Sequence, residues 1–184
     1  MKPTQELSSE HQAILVMIRI LEKMSDRLEA GESVDAGHLE QAVDFIKVFA
    51  DKCHHGKEED LLFPEMAKAG IPKEGGPLGV MLREHVEGRN FVKAMGEAAA
   101  ALKKGDREAG ARFARNARGY GALLTQHIFK EDNILYPMAD GRLLDMQQDR
   151  LAACFAEVED KVIGHGRHEA YHRLLKELEA VYLG

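Results

Sequence analysis

The sequence predicts an all-α protein: an antiparallel up-down-up-down four-helix bundle with an additional helical segment at the C-terminal end. Three observations lead there. Apolar residues recur at helical spacing along the whole chain, and no segment alternates convincingly as a strand would. The connections between the periodic stretches are short, which sets successive helices antiparallel. The chain also repeats itself. Residues 54–64 read HHGKEEDLLFP and residues 127–137 read HIFKEDNILYP, 73 residues apart, and each follows an EH pair, Glu10-His11 or Glu84-His85. Two copies of one unit make the halves quasi-equivalent.

The first helix is expected from about Thr4 to Glu29. Leu7, His11, Ile14, Ile18 and Leu21 form its seam, with Gly31 as the stop. The second opens near Ser33–Asp35, both good caps. It carries Val43, Ile46, Ala50, His54, Glu58 and Leu61 on one stripe, and Pro64 bends or ends it. The segment AGIPKEGGPLG (69–79) is a loop. The third helix follows Pro77, with Met81, His85, Gly88, Val92, Met95 and Leu102 inward, and ends near Gly105. Asp106 is placed as the cap of the fourth, whose seam is Phe113, Ala117, Tyr120, Leu124, His127, Glu131 and Ile134. Residues 1–140 thus form the bundle. Residues 141–184 have no counterpart in the repeat and are expected as an extension packed on it, with one or two helices interrupted at GHG (164–166).

The spacing carries the chemistry. Residues i and i+4 of a helix share a face, roughly 5–6 Å apart at Cβ. His54 with Glu58, and His127 with Glu131, therefore each offer an imidazole and a carboxylate to one point. With His11 and His85 they make four imidazoles and two carboxylates, the donors a two-metal centre needs, with anionic oxygens able to bridge. His55 with Glu59 has the same spacing, but His55 aligns with Ile128 in the second copy and reads as a neighbour of the site. Asp132, which aligns with Glu59, is an alternative to Glu131. A lone buried histidine is usually a satisfied core residue. Six buried titratable groups are different, since each unpaired one costs on the order of 1–3 kcal/mol against a net stability of only about 5–15 kcal/mol.

Composition excludes several classes. With 25 Lys+Arg against 31 Asp+Glu the net charge is −6 and spread out, so neither nucleic acid nor an anionic membrane is an expected partner. The N-terminus lacks the plan of a signal peptide, and no apolar run approaches a membrane span, so a cytoplasmic location is expected. Cys53 and Cys154 have no metal-type spacing and are expected as free thiols.

Three further features stand out. His168-Glu169-Ala170-Tyr171-His172 matches the HExxH metalloprotease signature. The extended form is absent and too little chain follows to return a third ligand, so proteolysis is set aside; His168 or His172 could instead supply a seventh ligand. Tyr120 points to the core two turns before His127, as an outer-sphere or redox candidate. Arg89, one turn after His85, is placed against Glu58, Glu131 or Glu84.

EH at 10–11, FxxxCHHGKEEDLLFP at 49–64, GPLGVMLREHVEGR at 76–89 and QHIFKEDNILYPMAD at 126–140 together resemble the hemerythrin family, in its bacterial HHE cation-binding branch, over about residues 5–140. The resemblance implies two non-haem iron ions, oxo- or hydroxo-bridged, with His11, His54, Glu58, His85, His127 and Glu131 as ligands. It further implies a small diatomic or peroxide as partner: a protein binding or reacting with O2, NO or H2O2 in sensing, detoxification or iron handling. A catalase-like enzyme and a metal-stapled interaction module are the rivals. Ferritin-type sites use four glutamates where this chain offers two. The sequence departs from the oxygen carriers in two places. Their third-helix HxxxH has Arg89 at its second position, and the last motif is HxxxE rather than HxxxxD, which favours a reactive or sensing site over a carrier.

Overall fold

The structure, a computed structural model, describes every residue except His165, and describes Val162 and Ile163 by their backbone alone. Among the described residues it is helical, without strands. α1 spans Pro3–Glu29 and stops where Gly31 adopts φ 75°. α2 begins with Ala36–Phe45, capped by Asp35, whose side chain accepts the Gly37 N–H at 2.7 Å. It runs on through π-helical Ile46–His55 and Glu58–Leu62 into Phe63–Lys68. α3 spans Pro77–Lys103. α4 comprises Ala109–Lys130, the π turn Glu131–Leu135 and Tyr136–Arg142. α5 is Asp145–Val158 with a π turn at Glu159–Ile163, and α6 is Arg167–Tyr182. Of the interruption expected at 164–166, Gly164 and Gly166 have φ of 82° and 79°, while His165 lies outside the described residues. Asp106 does not cap α4 directly. It sits one turn earlier and accepts the Glu108 N–H at 3.0 Å, and the helix starts at Ala109.

The prolines of the repeat do not end their helices. A proline ring clashes with the carbonyl four residues back, so the turn before each one widens. The Phe63 N–H donates to the Glu58 carbonyl and the Tyr136 N–H to the Glu131 carbonyl, both five residues back, and the helices continue past Pro64 and Pro137. Each widened turn absorbs one extra residue and shifts the inward face. The seam residues expected at Leu61 and Ile134 are therefore displaced: Leu62 and Leu135 are buried, Leu61 is half-buried and Ile134 is 52% exposed.

α4 packs along both α1 and α3, α2 lies along α3, and α6 lies on α1. Apolar side chains gather in two cores. One holds Ile14, Leu21, Phe45, Phe49, Met95, Phe113 and Leu124; the other holds Leu7, Leu62, Met66, Met81 and Leu135. The last helices contribute to both, Leu151 and Phe155 to the second and Tyr171, Leu178 and Tyr182 to the first. Hydrogen bonds join them to the rest of the chain, from the Tyr171 hydroxyl to Asp44 (2.9 Å) and from Arg27 to the Val181 carbonyl (3.1 Å). His11, His54, His85 and His127 each lie between residues of the two cores, so the polar layer is sealed above and below by hydrocarbon.

Candidate metal centre

Four helices deliver donors to this layer, and the donors fall into two groups. His11, His54 and Glu131 form one; His55, Glu58, His85 and His127 form the other. Within each, the ligand atoms lie within 4.8 Å of one another, and all seven residues are buried. All six residues singled out by the repeat are thus brought together. His55 joins them, although its repeat partner is Ile128. The reason is local: His55 closes the π-helical stretch of α2, where successive residues are less far apart around the axis than in an α-helix. Both members of the His54-His55 pair can then face inward, and the His55 ring stacks on His85 with centroids 3.9 Å apart.

The imidazoles are oriented from behind. His54 Nδ1–H donates to Glu10 (2.8 Å), His127 Nδ1–H to Glu84 (2.8 Å), His85 Nδ1–H to Glu59 (2.6 Å) and His11 Nδ1–H to Asp132 (2.9 Å). A third layer holds those carboxylates. Lys57, itself fully buried, donates to Glu10 at 2.6 Å and Glu6 at 2.7 Å; Lys130 donates to Glu84, Ser8 to Asp132, and Arg89 to Glu59 at 2.8 Å. The repeat K-E-[ED] is therefore three layers of one site. Its lysine steadies the Glu of the EH pair, its first carboxylate faces inward, and its second orients a histidine.

With each Nδ1 carrying the shared proton, the Nε2 lone pairs point inward and meet in pairs: His11 with His54 at 3.0 Å, and His85 with His127 at 3.0 Å. Two lone pairs at that distance repel unless a cation lies with them. In the metal-free chain a second proton, on His11 and on His127, relieves each pair as an N–H···N hydrogen bond; a metal ion would take the place of that proton by coordinating the nitrogens. The carboxylates agree. Glu131 places Oε1 3.0 Å from His127 Nε2 and Oε2 3.2 Å from His11 Nε2, and Glu58 Oε2 lies 3.4 Å from His85 and 3.8 Å from His54, so each reaches both groups. Apart from these imidazoles, the three oxygens have no polar partner. Burial works against a charged imidazole, yet the hydrogen bonds that His11 donates to Asp132 and Glu131 push it up to about 9, and Glu131 and Glu84 push His127 up to about 10. The site calls for positive charge. Burial and the neighbouring His85 hold His55 well below the ordinary histidine range, leaving it neutral and able to coordinate.

The profile of the hemerythrin HHE cation binding domain matches residues 2–139. The chain belongs to this family. Its curated relatives include the uncharacterized protein Rv1995 of Mycobacterium tuberculosis and the uncharacterized protein Mb2018 of Mycobacterium bovis, each 23% identical over 160 residues, which is 87% of this chain and 62% of theirs. The chain thus spans less than two thirds of those relatives' length. No solved structure matches it. No helix among the described residues is long and apolar enough to cross a membrane.

The chain is thus a hemerythrin-like HHE cation-binding domain, and its two His/Glu clusters could hold metal. Several expectations need correction. Arg89 reaches neither Glu58, Glu131 nor Glu84. It binds Asp51 (2.7 Å) and Glu59, the carboxylates that hold His55 and His85, because it leaves α3 one turn beyond His85 on the side facing α2. Asp132 does not replace Glu131 as an inward donor, since the π turn directs it to His11 Nδ1 instead. His168 and His172 supply no seventh donor to either group. They face each other at 2.9 Å, and His168 lies 2.7 Å from Glu159. Tyr136 was overlooked: its hydroxyl donates to Glu58 Oε1 at 2.8 Å and lies 3.4 Å from His11 Nε2. Its signal in the sequence is the F/Y-P that closes both repeats, where the proline alone points only to a bend or an end of the helix. Cys53 is buried, and both cysteines are free thiols.

Proposed function

We propose that this chain holds two non-haem iron ions inside an antiparallel up-down-up-down bundle formed by residues 1–140, with residues 141–184 as a packed extension. His11, His54 and Glu131 serve one ion, His55, His85, His127 and Glu58 the other, and Glu58 and Glu131 are shared between them. In this reading the protein acts in the cytoplasm on a small diatomic or a peroxide (O2, NO or H2O2), in sensing, detoxification or iron handling. The observation that carries it is the convergence of two buried groups of His and Glu donors, with ligand atoms within 4.8 Å of one another in each group, around carboxylates that reach both groups and have no other polar partner.

Iron, when bound, supplies reversible electron transfer and open positions for a small ligand. The chain's own residues do the rest. The outer carboxylates fix the tautomer and aim of each ring. The two cores exclude bulk water. Tyr136 keeps a proton on its hydroxyl, since burial and the nearby Glu58 push its ionisation far up. That hydroxyl at Glu58 favours the catalase-like variant, because it places a hydrogen-bond donor able to orient a peroxide beside the donors of both groups. Optical spectra of anaerobically purified, iron-loaded protein before and after air, NO or peroxide test the reading. A reversible new band with stoichiometric uptake supports binding. Sustained peroxide consumption that collapses in Glu58→Ala supports turnover. Spectra indifferent to all three ligands refute both.

A further inference from the structure

A cleft of about 560 Å³ runs between α2 and α3 and ends on the metal layer. Its origin lies in the sequence of α3, where Gly88, Val92, Gly96 and Ala100 follow one another at intervals of four and present almost no side-chain bulk toward Ile46, Lys47, Asp51 and His55 of α2. Its volume falls within the range of small-molecule sites, about 300–1,000 Å³, and is far more than one diatomic needs. Tyr120 closes the floor beneath Gly88, where an added Cβ would touch the tyrosine ring. The Tyr120 hydroxyl is buried and has no hydrogen-bond partner, a state that costs on the order of 1–3 kcal/mol and so asks for an acceptor. The charges around the cleft leave a surplus of one positive, and it lies at the mouth. Arg89 and Asp51 neutralise each other, and the mouth carries Lys47 and Lys93 together with Glu97. At the inner end stands His55, one of the seven donors.

We propose that this cleft binds a neutral, largely apolar organic molecule carrying one hydrogen-bond-accepting oxygen, held by the Tyr120 hydroxyl and lying against His55 at the edge of the metal centre. Apolar walls favour hydrocarbon, the buried Tyr120 donor favours one oxygen, and the inner end, where Arg89 is paired with Asp51, offers an ion no unpaired charge. Binding in the cleft does not depend on the function proposed above. Its communication with the centre does, through His55 as a ligand.

Acetophenone, a neutral aromatic ketone, is a suitable probe, with ethylbenzene as the control that lacks the oxygen. Both are titrated by calorimetry into protein loaded with cobalt(II), whose visible bands report on its ligands, and cobalt content is measured on the same sample. The proposal expects acetophenone to bind and to shift the cobalt bands. It expects Tyr120→Phe to weaken acetophenone about 2- to 10-fold, the loss of one hydrogen bond, while leaving ethylbenzene unchanged. Gly96→Leu, whose Cβ would press on the Lys47 ammonium at 3.3 Å and meet Val43 in ordinary contact at 3.6 Å, is expected to fill the mouth and abolish binding. Absence of acetophenone binding at millimolar concentration overturns the proposal, as do both variants binding like the wild type. Binding with cobalt present but its bands unmoved overturns the placement against the centre. Protein that binds acetophenone but takes up no cobalt refutes the metal reading instead.

Discussion

Glu10→Gln separates the layers of the site. Glu10 is almost wholly buried, accepts from His54 Nδ1 at 2.8 Å and from Lys57 at 2.6 Å, and is held at about 2 because these bonds outweigh the penalty of its burial. The amide keeps the shape and removes the charge. Two losses follow, with different owners. His54 loses the partner that fixes its tautomer, a change of outer-sphere type that typically lowers metal affinity about 10- to 100-fold, equivalent to roughly 1.4–2.8 kcal/mol. Lys57, fully buried, keeps only Glu6, and breaking a buried pair from one side costs about 3–5 kcal/mol of folding stability. Adding Lys57→Met removes the stranded charge. The double variant is therefore expected to regain most of the folding stability while its metal affinity stays low. Chelator competition reads the affinity and urea denaturation of metal-free protein reads the stability, so a double-variant cycle separates the two. Wild-type metal affinity in Glu10→Gln refutes the orienting role. A double variant less stable than either single one refutes the claim that Lys57 is there to hold Glu10.

Three further outcomes are expected. Pro64→Ala removes the clash that widens the turn after Glu58, so that stretch relaxes toward α-helix, the burial of Leu62 is lost, and metal stoichiometry falls; a variant that keeps full stoichiometry and an unshifted Leu62 contradicts the proline account. Metal loading near neutral pH is expected to release protons, because His11 and His127, raised to about 9 and about 10, are charged in the metal-free protein and must give up their protons to coordinate; affinity then rises with pH toward those values, and calorimetry in buffers of different ionisation enthalpy that finds no release contradicts it. Phe155→Ala, cutting a fully buried ring from the second core, is expected to cost about 3–5 kcal/mol in urea denaturation; a cost below about 1 kcal/mol would show that α5 is not integral to the fold.

The duplicated motif made six of the seven inward donors legible, because i, i+4 spacing survives wherever His and Glu share a helical turn. It hid His55, because alignment within the chain rewards only what both halves keep, and His55 is where they differ. The same limit misplaced Leu61 and Ile134. Helical periodicity assumes one pitch, and the proline-driven π turns, which begin at Glu58 and Glu131, change it for the residues that follow. The outer layers were written in plain sight as EH, K and [ED], but which carboxylate serves which histidine depends on pairings between helices that spacing along one helix does not contain. Arg89 illustrates this: its partners Asp51 and Glu59 lie on α2, and the sequence offered only that a charged residue stood on an inward face.

Anomalous diffraction at the iron edge from crystals of the loaded protein tests the central claim most directly. The account predicts two peaks per chain, one among His11, His54 and Glu131 and the other among His55, Glu58, His85 and His127. A single peak, or two peaks with the His55 ring turned away from both, contradicts it.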